Sequence, residues 1–256
     1  MAETLLQALS LLTQLDAEVL AIVWLSLKVS LSAVLLGTLL GLPLGAWVAV
    51  AHFPGRSGVT VVLNGLMGMP SVVLGVIVYL LLSRSGPLGG LGLLFSPSAM
   101  IAAQTLLVTP LIAALARQTV EDAWRDYAVE LTAYGYSRRQ SVTTLLFDCR
   151  YSLVVAVLAG LGRAISEVGA VMIVGGNIAG FTRVMTTAIA LETAKGDLPL
   201  SIALGLVLIA LDCSDEPHQC GCLLGPSGAH PFRCLRDRVE VGGVSSKVKF
   251  SPVVPC

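Results

Sequence analysis

The chain has 256 residues, of which 55% are apolar and 12% charged, with a formal net charge of zero and a mean hydropathy of +0.84. A soluble domain is usually near half apolar and a quarter charged, so this excess is what a lipid-facing surface requires. The balanced charge leaves no basic face for nucleic acid and no acidic tail.

Residues 1–20 begin with Glu3 as the first charge and hold no basic residue and no small-residue cleavage site, which argues against a secretory signal. The leucines of 5–15 recur at helical spacing, so this segment reads as an amphipathic helix at the membrane surface. Residues 21–211 read as a transmembrane domain. A helix needs roughly 20 apolar residues to cross the hydrocarbon with its backbone polar groups paired internally. Five segments are expected to do so: 26–51, 59–82, 96–116, 152–174 and one beginning at Leu198. Ser96-Pro97 supplies an N-cap and a proline at the first helical position. Pro43, Gly68, Pro70 and Pro110 interrupt the runs and are expected to kink or break them. Helices that line a transport pathway have this character, although Gly and Pro are commoner in membrane helices generally. Asn64 is expected to make an interhelical hydrogen bond.

Orientation follows from the basic residues of short loops. Segment 117–150 carries Arg117, Arg125, Arg138, Arg139 and Arg150 and is expected to be cytoplasmic. Segment 52–58 then lies on the same side, and the N-terminus, 83–95 and 175–197 lie outside. Within 121–147, Trp124, Tyr127, Ala128, Leu131 and Tyr134 share a helical face. Gly135 ends that helix, and Ser137-Arg138-Arg139-Gln140 is a capping box that starts another, with Val142, Leu145 and Leu146 on one side. Two short helices joined at a glycine make a docking element, or a hairpin lying on lipid headgroups.

This helix-glycine-helix resembles the coupling loop of ABC importer permeases, which carries an E-A-A-x-x-x-G pattern and inserts into the ATPase. Here Val129 stands six before Gly135, Glu130 one place later, and Phe147-Asp148-Cys149 replaces the usual proline, so the likeness lies in architecture and spacing. The run Gly162-Arg163-Ala164-Ile165-Ser166-Glu167-Val168-Gly169-Ala170, then Gly175-Gly176-Asn177-Ile178, Thr182-Arg183 and Thr186-Thr187-Ala188-Ile189-Ala190-Leu191-Glu192-Thr193, closely resembles permeases for molybdate, sulfate and, nearest, tungstate. The resemblance covers about 24–211. It implies an all-α membrane protein with about five transmembrane helices and a type I ABC importer permease-like core, in a bacterial or archaeal cytoplasmic membrane. It further implies a permease homodimer, two copies of a separate ATPase that holds ATP-Mg, and an extracytoplasmic substrate-binding protein. By the same likeness, Trp124, Tyr127, Glu130, Leu131, Ala133, Gly135, Arg138 and Leu145 would meet the ATPase. No G-x-x-x-x-G-K-[ST] occurs, so the chain has no phosphate-cradling loop of its own. The expected product is a transport subunit with no catalytic residue, cofactor or metal.

Arg163, about eleven residues into the fourth span, is expected near mid-bilayer, where a charge costs at least about 2.5 kcal/mol and must face protein or water. Glu167 follows one turn later. The pair is either a structural ion pair or a pathway device in which Arg163 attracts a dianion and Glu167 keeps the site from trapping it. Asn177, Thr182 and Arg183 lie in an outer segment whose amides and hydroxyls could bind an oxyanion or meet the binding protein. That segment also fits a re-entrant scaffold.

The fifth span has an apolar stretch of only about fourteen residues, 198–211, before a polar stretch that holds five of the six cysteines. Cys213, His218, Cys220 and Cys222 lack the paired arms of a zinc finger. Residues 212–256 are therefore expected to be a disordered or frame-shifted tail. Three other functions fit less of the chain: a permease for sulfate, phosphate or an amino acid, a carrier driven by an ion gradient, and a membrane anchor.

Overall fold

The computed structural model describes residues 17–51 and 54–215, all helix and connecting turns without a strand among them. The surface segment expected at 5–15 and the tail 216–256 lie outside the described residues. The helices are α1 (Ala17–Val50), α2 (Arg56–Met67), α3 (Ser71–Leu82), α4 (Pro97–Ala133), α5 (Arg138–Asp148), α6 (Arg150–Ile165), α7 (Gly169–Gly175), α8 (Met185–Lys195) and α9 (Leu198–Asp215).

α1 and α4, of 34 and 37 residues, form the axis. Gly37, Gly41 and Gly45 recur every fourth residue and place a side-chain-free stripe of α1 against α4. A Cβ at Gly45 would stand 2.3 Å from the Ala113 carbonyl oxygen, one at Gly41 3.0 Å from that of Thr109, and one at Gly37 3.3 Å from Val108. Small residues at this spacing let membrane helices approach closely. The contacts advance together along both chains, so the two helices are parallel. In its most apolar window α4 is 61% buried and α1 28%, which makes α4 central and leaves α1 with a broad outer face.

Pro43 and Pro110, expected to interrupt their spans, lie inside helices that continue past them. Gly68 and Pro70 do break the chain, where α2 and α3 meet at 99°. Arg56 opens α2 beside Glu121, and Leu82 closes α3 against Ala99. Those anchors are 22 positions apart on α4, about 33 Å at helical rise, a separation comparable to one hydrocarbon thickness. The first coupling helix is not separate from the third span: α4 runs unbroken through both, because no residue between 116 and 133 stops it. The fourth span is in two pieces, α6 and α7, separated at 166–168.

By length and composition two of these helices can cross a membrane alone, and up to four spans result if each bent pair counts once. The expected fifth span, in α9, has the shorter apolar stretch Leu198–Leu211. Its Leu204 packs with Ile22 of α1 and Met185 and Ala188 of α8. Val34, Val108, Ile112 and Ala164 join α1, α4 and α6 in the middle. Ala46, Ala49, Val50, Val120 and Leu145 close the end where α5 sits.

Candidate functional site

The break between α6 and α7 leaves backbone carbonyls without helical partners, and side chains from three other helices answer them. Gln104 Nε2 of α4 donates to the Ala164 carbonyl at 3.0 Å, and Ser30 Oγ of α1 reaches the same oxygen at 3.5 Å. Thr186 Oγ1 of α8 donates to the Glu167 carbonyl at 2.8 Å. Ser26 Oγ of α1 accepts from Met185 N at 2.7 Å and donates to the Ile22 carbonyl. Non-helical backbone is tolerated at membrane depth where neighbours satisfy it. The result is a polar seam through an apolar core.

Arg163 and Glu167 sit in this seam. Arg163 is in the last turn of α6, and one of its terminal nitrogens lies 3.0 Å from the Glu167 carboxylate. The other carboxylate oxygen accepts from Ala170 N at 3.1 Å. Exposure is unequal: the Arg163 side chain is 38% exposed and that of Glu167 2%. Arg163 does not occupy the middle of a continuous helix, as counting from residue 152 suggests. Its neighbour Ala164 is level with Gln104, seven residues or about 10 Å into α4. Gln104 Oε1 is buried without a hydrogen-bond partner among the described residues.

Asn177, Thr182 and Arg183 are not in the seam. Thr182, fully buried, accepts from Ile178 N and donates to the Gly175 carbonyl, which ties the turn after α7. Asn177 takes a left-handed φ of 50° and donates to the Thr187 carbonyl at 3.4 Å. Arg183 stands 4.0 Å from buried Glu192, which also holds Lys195 at 2.9 Å. Asn64, expected to bridge helices, is exposed on α2.

At the far end, Tyr136 N donates to the Leu131 carbonyl and Gly135 N to that of Thr132. This is a Schellman closure, with Gly135 at φ 73°. Ser137 and Gln140 form the expected capping box. Leu145 is buried in the end cluster, and Trp124, Leu131, Val142 and Leu146 pack against it. Tyr127, Glu130, Ala133, Tyr134 and Arg138 stay exposed. Glu121 gathers Arg56, Arg117 and Arg125, and Arg56 also donates to the Val48 and Ala49 carbonyls, which locks α1, α2 and α4 together. At the α5–α6 joint, burial and then the neighbouring Asp148 raise the Cys149 thiol pKa, which keeps it protonated.

No protein-family model matches the chain. It is 46% identical to a probable anion ABC transporter permease protein of Haloferax volcanii, over 73% of this chain and 82% of the relative. It is 40% identical to the tungstate uptake system permease protein TupB of Peptoclostridium acidaminophilum, over 82% and 92%. The chain belongs to the anion ABC transporter permeases. The chain is more distantly similar to the sulfate transport system permease protein CysW of Escherichia coli, 30% identical over 65% of this chain and 60% of that relative.

The permease has one region that sequence reasoning found only in part. Arg163 and Glu167 were legible from their spacing, whereas Ser26, Ser30 and Gln104 passed as ordinary members of apolar runs. The available signal was the polarity itself, since Gln104 is an amide inside 97–116.

Proposed function

We propose that this permease is the membrane-spanning subunit of an ATP-driven importer whose cargo is tungstate, with molybdate as the near alternative. The single observation that carries the cargo is the 40% identity to a tungstate uptake permease over 92% of that relative, against 30% and 60% for the sulfate permease. The energy comes from a separate ABC ATPase, and an extracytoplasmic binding protein delivers the anion to a pair of permease copies. The chain is multi-pass in a cytoplasmic membrane, with its 117–150 end facing the ATPase.

The geometry supports a division of labour. The Schellman turn at Gly135 and the capping box at Ser137 make a stiff corner, and Leu145 and Trp124 seat it on the ends of α1 and α4. Force applied to such a corner moves the axial helices rather than bending a loop. In the seam the hydroxyls of Ser26, Ser30 and Thr186 already donate to carbonyls. Arg163 is the seam's partly exposed cation and the group best suited to meet a dianion. Glu167 competes for it, so an anion would be held briefly and released, as transport needs.

The test is uptake of labelled tungstate by cells lacking their own permease and expressing this chain with a matching ATPase and binding protein. Uptake that resists excess sulfate and yields to molybdate is the expected outcome. Uptake blocked equally by sulfate would assign a general oxyanion permease. Uptake without ATP hydrolysis would favour a carrier driven by an ion gradient.

A further inference from the structure

A groove between α1 and α5 has no part in the transport reading. It measures about 510 Å³ and is lined by Leu39, Leu40, Leu44 and Trp47 of α1 with Arg139 and Val142 of α5. Its α1 wall belongs to the outer face of a membrane-length helix, with Leu39 71% and Trp47 53% exposed. From Leu39 to Trp47 the wall rises about 12 Å, and it leads toward the end of α1 at Val50. Arg139 stands at the mouth. Among the described residues its guanidinium has no ion pair or hydrogen bond, whereas Arg56, Arg117 and Arg125 share Glu121 at the same end.

An apolar trough that opens to lipid and ends in a cation unpaired among the described residues is complementary to an amphiphile with an anionic head. We propose that this groove binds an anionic phospholipid, its acyl chain along Leu39 to Trp47 and its phosphate at Arg139. The inference rests on the importer reading only in taking the chain as embedded with the 117–150 end at the anionic leaflet. Arg139 and Val142, three positions apart, line the groove opposite α1, and neither Tyr134 nor Gly135 takes part in it. That placement favours lipid over the ATPase as the occupant, and the bound lipid would tether α5 to α1.

The full chain would be placed in nanodiscs of equal phosphatidylglycerol and phosphatidylcholine and then transferred to detergent. Native mass spectrometry would count the phospholipids retained. Phosphatidylglycerol should be retained over phosphatidylcholine. Arg139→Gln should lower that retention about fivefold, as expected for one cationic residue at an anionic surface. Arg139→Lys should keep most of it, and Arg84→Gln, at the other end of the molecule, should change nothing. Leu44→Trp, which fills the trough with Arg139 intact, should also reduce retention. Equal retention of both lipids, or an unchanged count in Arg139→Gln, overturns the proposal. So does a loss of ATPase stimulation in Arg139→Gln with lipid retention unaltered, which would give Arg139 to the partner subunit. The readout needs no transport, so a chain that fails to import tungstate would leave this result standing.

Discussion

Arg163 and Glu167 act as a unit in which the exposed member is the cation and the buried member the anion. Removing either partner leaves the other uncompensated, a cost of roughly 1–3 kcal/mol once partial exposure of Arg163 is allowed for. Arg163→Gln and Glu167→Gln should therefore each reduce the amount of folded permease on an immunoblot. The double variant Arg163→Gln/Glu167→Gln removes both charges and should restore the amount. Uptake of labelled tungstate should nonetheless stay at least about tenfold low, as loss of one charge-assisted contact to a dianion implies. Recovery of uptake together with protein amount would make the pair purely structural. The pair was legible because its members are one turn apart. Its surroundings were not: Ser30 and Gln104 meet the Ala164 carbonyl across 134 and 60 positions, and no local pattern encodes such a meeting.

At the scale of elements, two glycines do different work. Gly45 is required by proximity, since a Cβ there would stand 2.3 Å from the Ala113 carbonyl oxygen, a backbone atom that cannot step aside. Gly45→Ala should cost about 1–3 kcal/mol as overpacking between α1 and α4 and lower the thermal midpoint in detergent. Gly58→Ala, where nothing lies within 4 Å, serves as the control and should leave the midpoint within a degree or so or raise it, alanine being the better helix former by about 1 kcal/mol. Gly135 is required by conformation instead, with φ 73° and open space around it. Gly135→Asn should be tolerated, while Gly135→Val should cost about 1–2 kcal/mol. Gly135→Val should also weaken stimulation of the ATPase in the assembled transporter. An unchanged stimulation in Gly135→Val would show that the corner does not transmit force. The capping box and the glycine stop were readable because caps act within one turn. The merging of the first coupling helix into α4 was not, because polarity suggested an end that no stop residue enforces.

For the molecule as a whole, parallel α1 and α4 demand a return crossing between them. α2 and α3, which reach from Glu121 to Ala99 along α4 with a 99° bend, are the elements placed to supply it. Reporters inserted after Gly55 and after Ser85 should therefore report opposite sides of the membrane. The same side for both would make the pair a re-entrant loop and remove one crossing. The sequence by itself determined that the chain is a helical membrane protein, which end carries the basic loop, where α4 and α5 start, and to which permeases the 162–193 run is similar. These features are set by runs of apolar residues, by charge bias and by caps, all of which act over a turn or a span. Only the tertiary structure decided that Pro43 and Pro110 are absorbed while the 68–70 and 166–168 segments break. It alone placed Arg163 in the last turn of α6 beside the break in its span, and it alone assembled the seam from α1, α4, α6 and α8. The reason is physical: in a membrane every helix is apolar, so hydropathy marks which segments are buried in lipid or protein without distinguishing the two. Which faces meet is decided by close approach at small residues and by the few polar groups that must find partners across distant parts of the chain.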